Sequence, residues 1–302
     1  MQKAIMLIRG RTMAQRQARL AYLFISPALF FVALLFVVPA AYNIVLSLSE
    51  WSLTRPMSFA GVDNYLNVLT DDKFWNSLRV TVYFSALSVP ITVVLALVVA
   101  LGFWHIGPRG GTALARALYF MPVVASLTAV AYIWMWIFNP AYGVMNHLLG
   151  LLGLPQFQWL NNRSQVIPSL SIMYIWSRLG FNMLILLAGL QAIPHDYYEA
   201  AQIDGANGWQ SFTRITLPLL NRQLVLVSIV EVMTALKVFA LPYAATGGGP
   251  VDASRTLVML VFDQAFHWNR MGESAVVSTI LFALILILTL AQQKLFTRKV
   301  EF

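Results

Sequence analysis

Residues 191–220 read QAIPHDYYEAAQIDGANGWQSFTRITLPLL. Acids, a glycine turn and bulky aromatics sit here between two strongly apolar blocks. Pro194 suits the first turn of a helix, and Asp196 and Glu199 follow where carboxylates interact well with the helix dipole. Ala200 and Ala201 are strong helix formers. Asp204-Gly205 is a stop-and-turn pair. Asn207 then caps a second short helix through Trp209, Phe212 and Ile215, and Pro218 ends it or kinks the entry into the next apolar run. The expectation is two short helices with a sharp bend between them. Tyr197, Tyr198, Ile203, Trp209, Phe212 and Ile215 are too many apolar side chains for a solvated loop. A helical knob that docks in a groove of another protein and a re-entry packed against its own chain both fit this composition.

The surroundings of the segment are those of a membrane protein. Of 302 residues, 59% are hydrophobic and 11% charged, with mean hydropathy +0.71, where soluble domains carry about 25% charged residues. So much apolar surface without several spans aggregates. The net charge of +8 does not point to nucleic acid, because the basic residues form no single patch interleaved with aromatics. The absence of Cys excludes disulfides, Cys-ligated zinc, iron–sulfur clusters and thiol catalysis.

A bilayer core about 30 Å thick needs about 20 apolar helical residues. Charge-free or nearly charge-free runs place six spans near 21–43, 80–104, 117–138, 168–190, 219–241 and 274–293. Only Arg178 interrupts the fourth, and Glu231 and Lys237 fall in the fifth. Six spans put both termini on one side. Basic residues identify that side as the cytoplasm. Lys3, Arg9, Arg11, Arg16 and Arg19, then Arg109 and Arg116, Arg214 and Arg222, and Lys294, Arg298 and Lys299 lie in short segments on it. Arg55, Lys73, Arg79, Arg163, Arg255 and Arg270 are spread over longer loops on the other. The expected fold is therefore an all-α polytopic membrane protein with both termini, and the 191–218 loop, in the cytoplasm.

Residues 1–20 read as a basic cytoplasmic segment partly at the interface rather than a signal peptide, because the apolar run after them is too long and five more spans follow. Residues 21–296 form one integral domain, and 297–302 a cytoplasmic tail. The outer loop at 139–167 contains GVMNHLLGLLGLPQFQWL, too interrupted by Gly and Pro to span; a short interfacial helix and turn is expected there.

The chain also resembles a known family. EAA at Glu199, Ala200 and Ala201, Gly205, and I-x-L-P at Ile215, Leu217 and Pro218 match the cytoplasmic-loop signature of binding-protein-dependent ABC importer permeases. GVDNYL at 61–66, WIFNPAYGVMNHLLG at 136–150 and TGGGP at 246–250 are similar to its sugar-permease branch, and the resemblance runs from about residue 20 to the end. It implies a type I importer permease in a bacterial inner membrane, working with a second, non-identical permease subunit, two copies of a cytoplasmic ABC ATPase and an extracytoplasmic solute-binding protein. ATP and Mg would be bound by the ATPase subunits, with no cofactor in this chain. Glu199 would pair with a basic residue of the ATPase, Ala200 and Ala201 would permit close approach, and Asp204, Gly205, Trp209 and Phe212 would complete the coupling element, Gly205 making a bend that a Cβ would obstruct. The solute would be a carbohydrate or a glycerol-phosphate-type compound.

The residues speak against chemistry in this chain. It has no G-x-x-x-x-G-K-[ST] loop, and His105, His147, His195 and His267 are not spaced for a metal site. Charges within spans usually face the bundle interior or a wet path. Arg178 and Asn182 share a helix face. Either Arg178 or Lys237 pairs with Glu231 across spans or lies near a helix end and snorkels, or some of Arg178, Asn182, Glu231 and Lys237 line a translocation path. An ion-gradient-driven secondary transporter is the alternative class; it calls for paired intramembrane carboxylates or inverted repeats, and Glu231 is the one acid available.

Overall fold

A computed structural model describes residues 13–52, 55–107 and 111–296. The first twelve residues, the 297–302 tail and Arg109 lie outside the described residues. The chain begins with α1 (Met13–Val32), which continues through a widened π turn at Ala33–Val37 into α2 (Val38–Ser47). Two short antiparallel strands follow, β1 (Ser49–Ser52) and β2 (Arg55–Phe59), then α3 (Asp63–Thr70). This hairpin has no clear counterpart in the hydrophobic pattern, because its strands are short and half exposed.

The long helix α4 (Asp72–Ile106) packs along α8 (Val166–Gln191), and this is the most extensive helix pairing in the bundle. The sequence explains the fit. Ser77, Thr81, Ser85, Ser88, Thr92, Ala96 and Ala100 recur three or four residues apart on α4, and all are buried. Small side chains at this spacing let helix backbones approach closely. Thr81 and Thr92 return their hydroxyls to the carbonyls of Ser77 and Ser88, both at 2.7 Å.

Between these helices come α5 (Thr112–Val124), α6 (Leu127–Ile137) and α7 (Val144–Leu151). The third expected span, 117–138, is not one straight helix: α5 and α6 meet at 102°. Pro122 lies in the last turn of α5, and Ala125 and Ser126 both take extended conformations. Ser126 then starts a new helix by accepting the amide of Ala129 at 3.2 Å. The bend brings α5 against α8 at Gly180, where a Cβ would collide with the backbone carbonyl of Tyr119. The 139–167 loop holds the expected short helix α7, fixed by Asn146, which bonds the backbone at Pro140 and Phe157 and accepts from Trp159.

After α8 come α9 (Asp196–Ile203), α10 (Gly208–Ser211), α11 (Leu217–Leu236), α12 (Ala240–Thr246), α13 (Leu257–Phe262) and α14 (Met271–Phe296). The fifth span was expected to reach 241; α11 ends at Leu236, and two short helices fold back before α14. The TGGGP turn between them is tied down: Thr246 and Ser254 hydroxyls meet at 2.7 Å, and Asn76 donates to the carbonyl of Asp252 at 2.8 Å. Among the described residues, five helices are long and apolar enough to cross a membrane, and the bent α5–α6 pair makes up to six.

The core divides along the bundle. One cluster joins Phe84, Trp134, Leu170 and Tyr174 towards the hairpin end, a second joins Ala96, Ala100, Met183, Leu186 and Leu220 towards the 191–218 loop, and a third seats Phe74, Leu257 and Leu260 against α14. The first span stands apart: its apolar window has no buried residue. It is joined to the bundle through α2 and α14, where Asn43 donates to the Ala275 carbonyl and the Thr279 hydroxyl at 3.2 and 3.0 Å.

Candidate functional site: the 191–218 loop and a buried ion pair

The loop opens where α8 ends. Helix α9 starts at Asp196, with Asp196 and Glu199 in its first turn as expected, and Pro194 lies just ahead of it. At its far end Gly205 takes a left-handed backbone, φ +79°. The Gly205 amide donates to the Gln202 carbonyl at 3.0 Å and the Ala206 amide to the Ala201 carbonyl at 2.8 Å. This is the hydrogen-bond pattern of a Schellman motif, and it satisfies carbonyls that the helix end would otherwise leave bare. A Cβ on Gly205 would meet nothing within 4 Å. Within this chain, therefore, the glycine answers to its backbone angle and not to crowding.

Asn207 caps the next helix as its position in the sequence suggests, in a reciprocal capping box. Its side chain accepts from the Gln210 amide and the Gln210 side chain accepts from the Asn207 amide, each at 2.9 Å. Of the two readings of Pro218, an end to the second helix is overturned: α10 passes through a π turn at Phe212–Thr216 into α11, giving a continuous helical run from Gly208 to Leu236. The widened turn lies just before the proline, where a regular turn would bring its ring against a preceding carbonyl.

The loop's apolar side chains divide into two sets. Tyr198 is buried, its hydroxyl 3.0 Å from the Thr216 hydroxyl and its ring 5.1 Å from that of Trp104. Thus α9 is anchored to the start of α11 and to the end of α4. Ile203 and Trp209 face outward, 87% and 72% exposed, and Tyr197 is also exposed. Phe212 is half-buried, its ring 5.6 Å from that of Trp209. Glu199 is exposed too, with His195 Nδ1 3.5 Å away. Ala200 is exposed, Ala201 half-buried, and Asp204 exposed beside the turn.

Deeper in the bundle, Glu231 of α11 is fully buried. Arg178 of α8 gives its Oε1 two hydrogen bonds, from Nε at 3.0 Å and Nη2 at 2.7 Å, and the Tyr174 hydroxyl donates to Oε2 at 2.9 Å. Arg178 also lies over the Phe181 ring, 5.2 Å from its centre. Asn182 is buried one turn further along; its amide donates to the Arg178 carbonyl at 3.1 Å, and its Oδ1 has no partner among the described residues. Lys237 takes no part: it is the exposed C-terminal cap of α11. The structure thus brings Arg178 and Glu231 together, with Asn182 adjoining, and leaves Lys237 outside. Sequence reasoning missed Tyr174. Its signal was present, since Tyr174, Arg178 and Asn182 recur every four residues along one face of α8. Among the described residues no cluster of acids and histidines is arranged to hold a metal ion.

Comparison with known proteins agrees with this architecture. The family described as "Binding-protein-dependent transport system inner membrane component" matches residues 71–302. The trehalose/maltose transport system permease protein of Thermococcus litoralis is 36% identical over 281 residues, covering 92% of this chain and 94% of that protein. The sn-glycerol-3-phosphate transport system permease protein of Agrobacterium fabrum is 32% identical, covering 94% and 96%. A chain in the crystal structure of a bacterial alginate ABC transporter, in complex with alginate pentasaccharide-bound periplasmic protein, superposes with a TM-score of 0.79 at 20% identity, covering 92% of this chain and 94% of that one. That last likeness concerns the fold. The chain is an ABC importer permease subunit and not the ATPase, and it belongs to the binding-protein-dependent transport system inner membrane components.

Proposed function

We propose that this permease imports a carbohydrate or a glycerol-phosphate-type solute. It does so with a second permease subunit, two copies of a cytoplasmic ABC ATPase that bind ATP and Mg, and an extracytoplasmic protein that delivers the solute. Both termini and the 191–218 loop face the cytoplasm in this reading, as the basic residues suggest. The observation that carries it is the division of the loop. Tyr198 holds it to the bundle, while Glu199, Ile203 and Trp209 are presented outward around the Gly205 turn. A knob so anchored and so exposed suits a groove in a partner. Glu199 then supplies a charge that fixes register more than affinity.

The relatives' solutes, trehalose or maltose and glycerol phosphate, support the solute class. Arg178, Asn182 and Glu231 are our candidates for the lining of the path; Lys237 remains a candidate only for its mouth, since it caps α11. The alternative of an ion-gradient-driven transporter is less well supported, because Glu231 is already committed to Arg178 and Tyr174.

The test is reconstitution with the ATPase, the second permease and the binding protein. Trp209→Ala is expected to lower binding-protein-stimulated ATP hydrolysis and uptake together while the four-subunit membrane complex still inserts. Uptake driven by an ion gradient in the absence of the ATPase would refute the proposal.

A further inference from the structure

Two adjoining cavities, of about 600 and 440 Å³, lie behind the loop, between it and the ends of α4 and α5. They share Trp104, Gly107, His195 and Tyr198 in their walls. Among the described residues no Asp or Glu lines either one. Among the described residues the permanent charge of the lining is that of Arg116, and His105 and His195 are its other titratable side chains of basic type. Glu199 reaches His195 at 3.5 Å without entering the lining. The Arg116 guanidinium lies 5.6 Å from the centre of the Phe103 ring, and its Nε is buried with no hydrogen-bond partner among the described residues. A buried donor left unpaired is costly, and a charged one is more so.

The position of the cavities narrows what could meet the Arg116 guanidinium, which lines the smaller of them. Phe103, Trp104 and Tyr198 give an aromatic wall of the kind found at headgroup depth. Just beside it, Ile106, Leu114 and Leu118 are exposed on α4 and α5, the surface expected to meet lipid chains. Cation, aromatic wall and adjacent apolar surface together match a phosphate carried on a lipid.

We infer that these cavities bind a phosphate group, and that its source is the headgroup of an anionic phospholipid, held by Arg116 against Phe103 and Trp104. Because Tyr198 belongs both to the wall and to the anchor of α9, an occupied site braces the loop against the bundle. Under the orientation proposed above that lipid belongs to the inner leaflet; the site itself follows from the cavity and does not depend on the orientation.

The experiment places the assembled importer in nanodiscs of phosphatidylcholine alone or of an equal mixture with phosphatidylglycerol, and counts retained lipid by native mass spectrometry after extraction. Calorimetry with inorganic phosphate in the phosphatidylcholine discs forms the second arm. Wild type is expected to retain phosphatidylglycerol. Arg116→Gln is expected to lower its occupancy about tenfold, the scale of one charge-assisted hydrogen bond, and Arg116→Lys to recover part of it. Gln191→Glu places a carboxylate in the wall and is expected to lower occupancy as well, which keeps the test decisive if Arg116→Gln fails to assemble. Equal retention in wild type, Arg116→Gln and Gln191→Glu overturns the site. Arg116-dependent phosphate binding without phosphatidylglycerol retention overturns the lipid as its source. Lipid retention does not depend on ATP coupling, so failure of the coupling proposal leaves this result readable.

Discussion

Glu231 is a carboxylate with no exposure, and both its oxygens are engaged. Removing one member of such a buried pair leaves the other charge uncompensated, a loss of about 3–5 kcal/mol. Arg178→Ala and Glu231→Ala are each expected to lower the thermal midpoint of the detergent-purified chain sharply. A double Arg178→Met, Glu231→Met variant is expected to recover most of it, since an apolar replacement of a whole pair is often neutral. Tyr174→Phe is expected to cost about 1 kcal/mol, the scale of one hydrogen bond. A double variant no more stable than either single one would mean the pair is not the source of the loss. Both members of the ion pair were legible in the sequence, because a charge in an apolar span stands out. Tyr174 is passed over because an aromatic in an apolar run reads as core, although its spacing of four from Arg178 puts it on the charged face. Lys237 was placed in a span because hydropathy alone does not mark where α11 stops.

At the scale of elements, local chemistry carried the reading of the loop well. Asp196 and Glu199 start a helix, Gly205 turns the chain and Asn207 caps. Gly205→Asn is expected to preserve binding-protein-stimulated ATP hydrolysis better than Gly205→Val, because Asn tolerates left-handed geometry and a β-branched residue does not. Gly205→Asp adds a charge at the docking face as well, and is expected to abolish stimulation while insertion into the membrane persists. Full stimulation in a stably assembled Gly205→Asp complex would contradict the coupling role. The bend between α5 and α6 was harder to see. Nothing in the apolar run 117–138 marks a break except Pro122 and Ser126, and the close approach that fixes it depends on a glycine sixty residues on. Gly180→Val is expected to force α5 away from α8 and cost about 1–3 kcal/mol or more, seen as loss of folded protein on extraction. Wild-type recovery would show that the two helices are not held there.

Across the whole molecule, composition makes the spans legible and supplies a proposal for their sidedness, and the way they pack is not legible in it. The small-residue stripe on α4 is visible in the sequence only once α8 is known to be its partner. The sidedness has a direct test, because the chain contains no Cys and an introduced thiol is its single label site. Trp209→Cys is expected to react with an impermeant maleimide only in inside-out vesicles, and Phe59→Cys, 83% exposed on the hairpin, only from the opposite side. Labelling of both from one side would end the proposed topology.

The unbroken run from Gly208 to Leu236 joins the surface knob to the charged centre of the bundle. From Trp209 to Glu231 the distance along the axis is about 33 Å at 1.5 Å per residue. Under the coupling proposed above, a torque applied at the knob has a single helical path to the carboxylate and its guanidinium, and that path runs through the π turn at Phe212–Thr216. On that proposal the gearing resides in the shaft's stiffness as much as in the fit of its handle, and slackening Phe212–Thr216 is expected to uncouple ATP hydrolysis from uptake while Trp209 and Glu231 keep their surroundings.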